Sequence, residues 1–108
     1  MRAGDWVLVA GTTALGADGG IAGGASPYGQ AQEILRKIGA ALEAVGGALE
    51  QVVQTRSQLT DAAAWEEVGR AHGEAFADVR PVATMVEVAA LLDPRMLVEI
   101  EAVAWAGG

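Results

Sequence analysis

The 108 residues contain no cysteine. Disulfides, thiolate metal sites and thiol nucleophiles are therefore excluded, and the redox compartment is left open. Histidine occurs once, and a lone imidazole with no spaced Asp/Glu partner cannot build a metal site. No metal and no other cofactor is expected. Basic residues are few, seven against fourteen acids, for a net charge of −7. No Lys/Arg cluster breaks that balance. Such a surface repels phosphate backbones, so no nucleic-acid partner is expected. No apolar run approaches the roughly 20 residues that span a bilayer, and no basic-then-apolar leader opens the chain. No membrane partner is expected, and a cytoplasmic location follows by default.

What remains is the composition of a folded protein, with 52% hydrophobic and 19% charged residues. The length suits one domain over residues 1–108. Asp5 to Thr12 (DWVLVAGT) is an apolar, β-branched run that reads as a strand. Ala14 to Gly24 is rich in glycine but lacks the Lys-Ser/Thr of a phosphate loop, so it reads as a turn or short hairpin arm. Ser26-Pro27 is an N-cap with proline at the first helical position. Ile34, Leu35, Ile38, Leu42 and Val45 then recur at helical spacing until Gly46-Gly47. Gly39 inside this helix implies a close approach to a sheet.

Val52 to Leu59 reads as the next strand, with Val53, Thr55, Ser57 and Leu59 on one face and Gln54, Arg56 and Gln58 on the other. Thr60-Asp61 caps a second helix whose inward stripe is Trp65, Val68, His72 and Phe76. Its outer face offers Glu66–Arg70 and Arg70–Glu74 pairs, and Gly69 and Gly73 allow close packing. Arg80 to Trp105 (RPVATMVEVAALLDPRMLVEIEAVAW) reads as two strands joined by a short Asp-Pro turn. The order β(β)αβαββ predicts an α+β fold, a mixed sheet with two helices on one face.

Two helices cover one face only. Yet Trp6, Leu8, Leu97, Val103 and Trp105 alternate with Val7, Val9, Val98 and Ile100, so both faces carry large apolar groups. The second face then needs a partner, and self-association is the simplest one. If Val86 and Val88 point to the helices, Ala83, Met85 and Glu87 point to this second face, with Arg56, Glu99 and Glu101 as neighbours. Arg56 neutralising a glutamate there is the plainest reading.

The C-terminal stretch, with Pro81-Val82-Ala83-Thr84, Val86-Glu87-Val88 and Val98-Glu99-Ile100-Glu101-Ala102, resembles the signature of the Rid (reactive intermediate deaminase, YjgF-like) family. The likeness continues through Ala10-Gly11-Thr12, through Gln30 to Gly46 and through Leu59-Thr60-Asp61, and so covers almost the whole chain. It implies a Bacillus chorismate mutase-like, YjgF-like fold assembled as a homotrimer with small-molecule clefts between subunits. It also implies hydrolysis of an enamine or imine such as 2-aminoacrylate to a keto acid and ammonia. By match, Glu99 takes the water-positioning place, and Gly11 and Thr84 take pocket positions.

The chain departs from the pattern in three places. Ala83 stands where deaminating members carry a carboxylate-binding arginine, Lys37 stands where they carry a helix asparagine, and the family's N-terminal strand, with its cleft tyrosine, is missing. Arg56 and Arg80 are the candidate cations to stand in for the lost arginine, against the plainer reading of Arg80 and Arg95 as solvated loop residues and Arg56 as an interface pair member, and Arg95 lies beyond the turn. Two functions follow. One is a Rid-like hydrolase with an altered substrate. The other is a non-catalytic trimer that binds a small metabolite. A chorismate mutase reaction would need more cleft arginines, and ribonuclease activity conflicts with the acidic charge.

Overall fold

The computed structural model describes residues 1–107. In chain order the elements are β1 (Arg2–Ala3), β2 (Trp6–Thr12), α1 (Pro27–Glu43), β3 (Val52–Leu59), α2 (Trp65–Ala75), β4 (Val82–Glu87) and β5 (Val98–Trp105). They form one five-stranded sheet in the order β1-β2-β5-β3-β4, with both helices on one face. Only β3 and β4 are parallel. The expected α+β architecture is present, and it includes a two-residue β1 paired with β2 ahead of the strand at Trp6.

The helix α1 starts where its cap chemistry dictates. The Ser26 hydroxyl accepts from the Gly29 N–H, and Pro27, which has no N–H to satisfy, follows. Its inward stripe of Ile34, Leu35, Ile38 and Leu42 is buried against the sheet. Gly46, at φ 84°, closes the helix in the left-handed region that glycine enters at no steric cost. Gly39 does meet a close neighbour, but the neighbour is the Leu49 side chain in the 3-10 turn before β3, 3.4 Å from where a Cβ would lie, and not the sheet.

Several local expectations are corrected. Trp65 is 60% exposed, because the Asp61 side chain caps a 3-10 turn at Ala62–Ala64 and α2 begins only at Trp65. Val68 and Phe76 of the expected stripe are buried and His72 is half-buried, while Ala71 takes the inward place that Trp65 does not. Arg70 stacks on the Tyr28 ring at 3.9 Å, while Glu74 accepts from the Tyr28 hydroxyl at 2.5 Å, so an α1–α2 clasp replaces the expected pairs along one helix. Nothing lies within 4 Å of a Cβ at Gly73, which is therefore not a packing glycine.

The strands correct three more. β4 and β5 are not neighbours, because β3 lies between them and residues 88–97 carry the chain across. A bulge in β3 between Val52 and Gln54 inserts one extra residue, so Val52 turns inward and Val53 outward. In the parallel β3–β4 register Thr55 pairs with Ala83 and Ser57 with Met85. Thr55 and Ser57 face the helices and are buried, so Ala83 and Met85 face the helices too. Met85 reaches Gly69 of α2, and Glu87 accepts from the Ala62 N–H. The side chains on the second face are Val82, Thr84 and Val86, the reverse of the expected pattern.

Arg80 has φ 53°, the one non-glycine residue in the left-handed region among those described. For a residue with a Cβ this costs about 1–2 kcal/mol. Arg80→Gly is expected to raise stability by about 0.5–1 kcal/mol after the extra unfolded-chain entropy of glycine is subtracted. Thermal unfolding should move up by several degrees, and an unchanged or lower midpoint would show that the Arg80 side chain holds the turn.

Candidate active site

In β5 Val98, Ile100, Ala102 and Ala104 are buried under the helices, and Glu99, Glu101, Val103 and Trp105 alternate with them on the open face. Glu99 lies where β2 slips register. Val9 pairs with Ala102 but Thr12 pairs with Ile100, so β2 carries an extra residue in a bulge. The bulge sets Gly11 against the glutamate. A Cβ at Gly11 would lie 2.5 Å from Glu99 Oε1 and 2.7 Å from its Cδ, so the carboxylate occupies space that only glycine leaves free. Glu33, Glu74, Glu87 and Asp93 all accept hydrogen bonds, but among the described residues no donor reaches Glu99. Across the ladder Gln58 pairs with Glu99, and Gln58 Oε1 is buried without a partner. The buried Gln58 oxygen calls for an N–H or O–H donor, and the half-buried Glu99 carboxylate stands beside it without a partner among the described residues.

Arg56 shares this face. It approaches Glu101 at 3.6 Å and sits beside Thr84 in the parallel register. An open cavity of about 500 Å³, lined by Leu8, Gln54, Arg56, Glu101 and Val103, runs along the same face. The structure therefore groups Glu99, Gly11, Arg56 and Thr84 on one side of the sheet.

Ala83 and Arg80 lie on the other side. They line a concavity of about 380 Å³ with His72, Gly73, Phe76 and Pro81, between the end of α2 and the start of β4. His72 is half-buried, with Nε2 2.7 Å from the Thr55 hydroxyl and its ring 4.7 Å from that of Phe76. Burial holds its pKa below the ordinary histidine value, which keeps the ring neutral near pH 7. In one chain, two strand spacings of about 5 Å each and the thickness of the sheet separate this concavity from Glu99.

The endoribonuclease L-PSP family model matches residues 1–106. The chain belongs to that family. It is 42% identical to an uncharacterized protein of Streptomyces coelicolor over 99% of its own length and 79% of the relative's. Among solved structures it is similar to a Mycobacterium tuberculosis member of the YjgF/YER057c/UK114 family, at 45% identity, with a TM-score of 0.86 and coverage of 96% and 81% of the two chains. It is also similar to RidA from an Antarctic Psychrobacter, at 26% identity, with a TM-score of 0.88 and coverage of 97% and 84%. Glu99 and Gly11 of this Rid/YjgF chain thus sit in a fold shared across much of each relative's length.

The remaining expected residues of this Rid/YjgF chain have structural partners. Lys37 Nζ donates to the carbonyls of Thr13 and Leu15 and pins the glycine-rich segment. Within that segment a Leu15–Ile21 bridge forms the expected short hairpin arm. Arg95 pairs with Asp93 and donates to the Gly19 carbonyl, and this pairing holds the Asp93 carboxyl down to about 2. Sequence reasoning missed Gln30. It is fully buried on α1, donates to the Gly24 and Arg95 carbonyls and accepts from the Leu97 N–H. A polar residue one turn before Ile34 on the buried stripe was the available signal. Among the described residues no helix is long and apolar enough to cross a membrane, and no group of acids and histidine is placed to hold a metal ion.

Proposed function

We propose that the chain hydrolyses short-lived imines or enamines, with Glu99 orienting the attacking water. The observation that carries this is the Glu99 carboxylate laid on the Gly11 backbone with no protein donor, beside the unpartnered Gln58 oxygen. Water or a substrate N–H satisfies both acceptors. For iminopyruvate, water adds to the C=N carbon, Glu99 takes a proton from it, and the proton goes to the departing nitrogen. The carbinolamine then collapses to pyruvate and ammonia.

The working unit in this reading is a homotrimer with clefts between subunits. The open face supports it, since Trp6, Leu8, Val53, Val82, Val86 and Trp105 are all more than a third exposed there. So does the split of the site, because no small ligand within one chain touches both Glu99 and the concavity at Ala83. A second copy laid on the open face closes that gap. Arg56, already committed to Glu101, serves the interface in this arrangement.

Ammonia release from freshly generated iminopyruvate and from uncharged imines, corrected for spontaneous hydrolysis, tests the activity, and sedimentation equilibrium tests the trimer. Enzyme-dependent release from at least one imine is expected. Ligand-dependent thermal stabilisation with no release from any imine would instead establish the non-catalytic metabolite-binding trimer.

A further inference from the structure

The hydrogen-bonding state of His72 follows from Thr55. Thr55 is buried, and Nε2 of His72 is the one partner its side chain has among the described residues. A buried hydroxyl proton needs an acceptor, so the hydroxyl donates to Nε2 and the ring proton sits on Nδ1. Nδ1 has no partner in the protein and is not sealed from solvent, since Gln58 Oε1 is the one buried side-chain polar atom left unpaired among the described residues. His72 therefore presents a fixed N–H donor on a ring that lines the concavity.

Arg80 supplies the charge. Arg2, Arg36, Arg56 and Arg95 each pair with a carboxylate, and Arg70 stacks on Tyr28. Among the described residues Arg80 alone has a guanidinium with neither kind of partner. Its left-handed backbone is tied to the end of α2 by an N–H bond to the Phe76 carbonyl, so the cation stands at the rim of the same concavity. The small side chain of Ala83 and the missing side chain of Gly73 leave the space between these donors open. Phe76, Ala77 and Pro81 supply an apolar wall that strengthens a charged hydrogen bond by excluding water.

We propose that this concavity is an anion pocket, in which the Nδ1–H of His72 and the guanidinium of Arg80 hold the carboxylate of a small 2-oxo or 2-imino acid. The pocket takes its ligand class from the hydrolase reading. The carboxylate is thus gripped from α2 and the turn after it, with no charge on β4 itself.

The test uses the purified full-length protein and pyruvate, the product the proposed hydrolysis would release. His72 is the single histidine, so its ring 15N and 1H signals report on this pocket without ambiguity. Titration with pyruvate is expected to shift the Nδ1–H signal saturably, and pyruvamide, which lacks the charge, is expected not to. Arg80→Ala should weaken pyruvate binding about tenfold or more, the scale of one lost charged hydrogen bond. Arg80→Lys should recover part of that loss. Absence of a His72 shift at millimolar pyruvate, equal shifts with pyruvamide, or unchanged binding in Arg80→Ala overturns the pocket. Imine hydrolysis without a His72 response would leave the hydrolase reading standing and remove the pocket. A His72 response in a protein that hydrolyses no imine would do the reverse.

Discussion

Glu99→Gln is expected to lower the turnover number for imine hydrolysis by about 10²- to 10⁴-fold, the usual worth of a positioned general base. Glutamine keeps the size of the side chain and one hydrogen-bonding oxygen, but it cannot accept a proton. The Michaelis constant should move little, since the group acts on water and does not grip substrate. Stability should be unchanged or slightly raised, because no protein donor is lost with the charge. Gly11→Ala should reproduce part of the defect without touching the carboxylate chemically. Its Cβ would lie 2.5 Å from Glu99 Oε1, so the carboxylate must swing away from the bulge. Steady-state kinetics on one imine, with thermal unfolding of the same preparations, checks both variants. Wild-type turnover in a stable Glu99→Gln protein removes Glu99 from the mechanism.

The largest expected loss of stability lies at Gln30. Leucine there matches the volume but leaves two carbonyls and one N–H without partners inside the protein. Each such group costs about 1–3 kcal/mol, so Gln30→Leu should lose about 3 kcal/mol or more once partial hydration is allowed for. For a domain near this size that is a fall in midpoint of more than 10 °C. Gln30→Glu should be no better at neutral pH. It keeps the acceptor for the Leu97 N–H but sets a charge against the Gly24 and Arg95 carbonyls. A Gln30→Leu protein that melts within about 2 °C of the parent would show that water replaces the side chain at all three groups. Gln30 matters to function because it holds two long loops, residues 13–26 and 88–97, against α1 at the mouths of β2 and β5.

Much of this was legible in the residues themselves. The helical stripe from Ile34 to Leu42, the Ser26-Pro27 cap and the apolar run of β2 are local patterns, and local sterics and hydrogen bonding fix them without reference to the rest of the chain. The VEIEA strand and the Gly11 segment were enough to place the fold and to bring Glu99 forward. The sheet sets Gly11 where the Glu99 carboxylate needs room.

Local pattern could not fix side. A strand shows two faces at period two, and a one-residue change of register exchanges them. β4 carries apolar residues on both faces, so its own sequence does not say which face is inward. The parallel pairing of Thr55 with Ala83 decides it and turns Ala83 and Met85 toward α2. The bulges at Val53 and Gly11 are likewise invisible until a partner strand counts one residue fewer. The sequence alone determined the two helices, the four longer strands and which glutamate stands out. Only the tertiary structure decided that Glu99 and Ala83 lie on opposite faces, and that a histidine read as part of a helix's inward stripe shares a pocket with an arginine unpaired among the described residues. Those are facts of strand register and long-range contact, which no window of neighbouring residues contains.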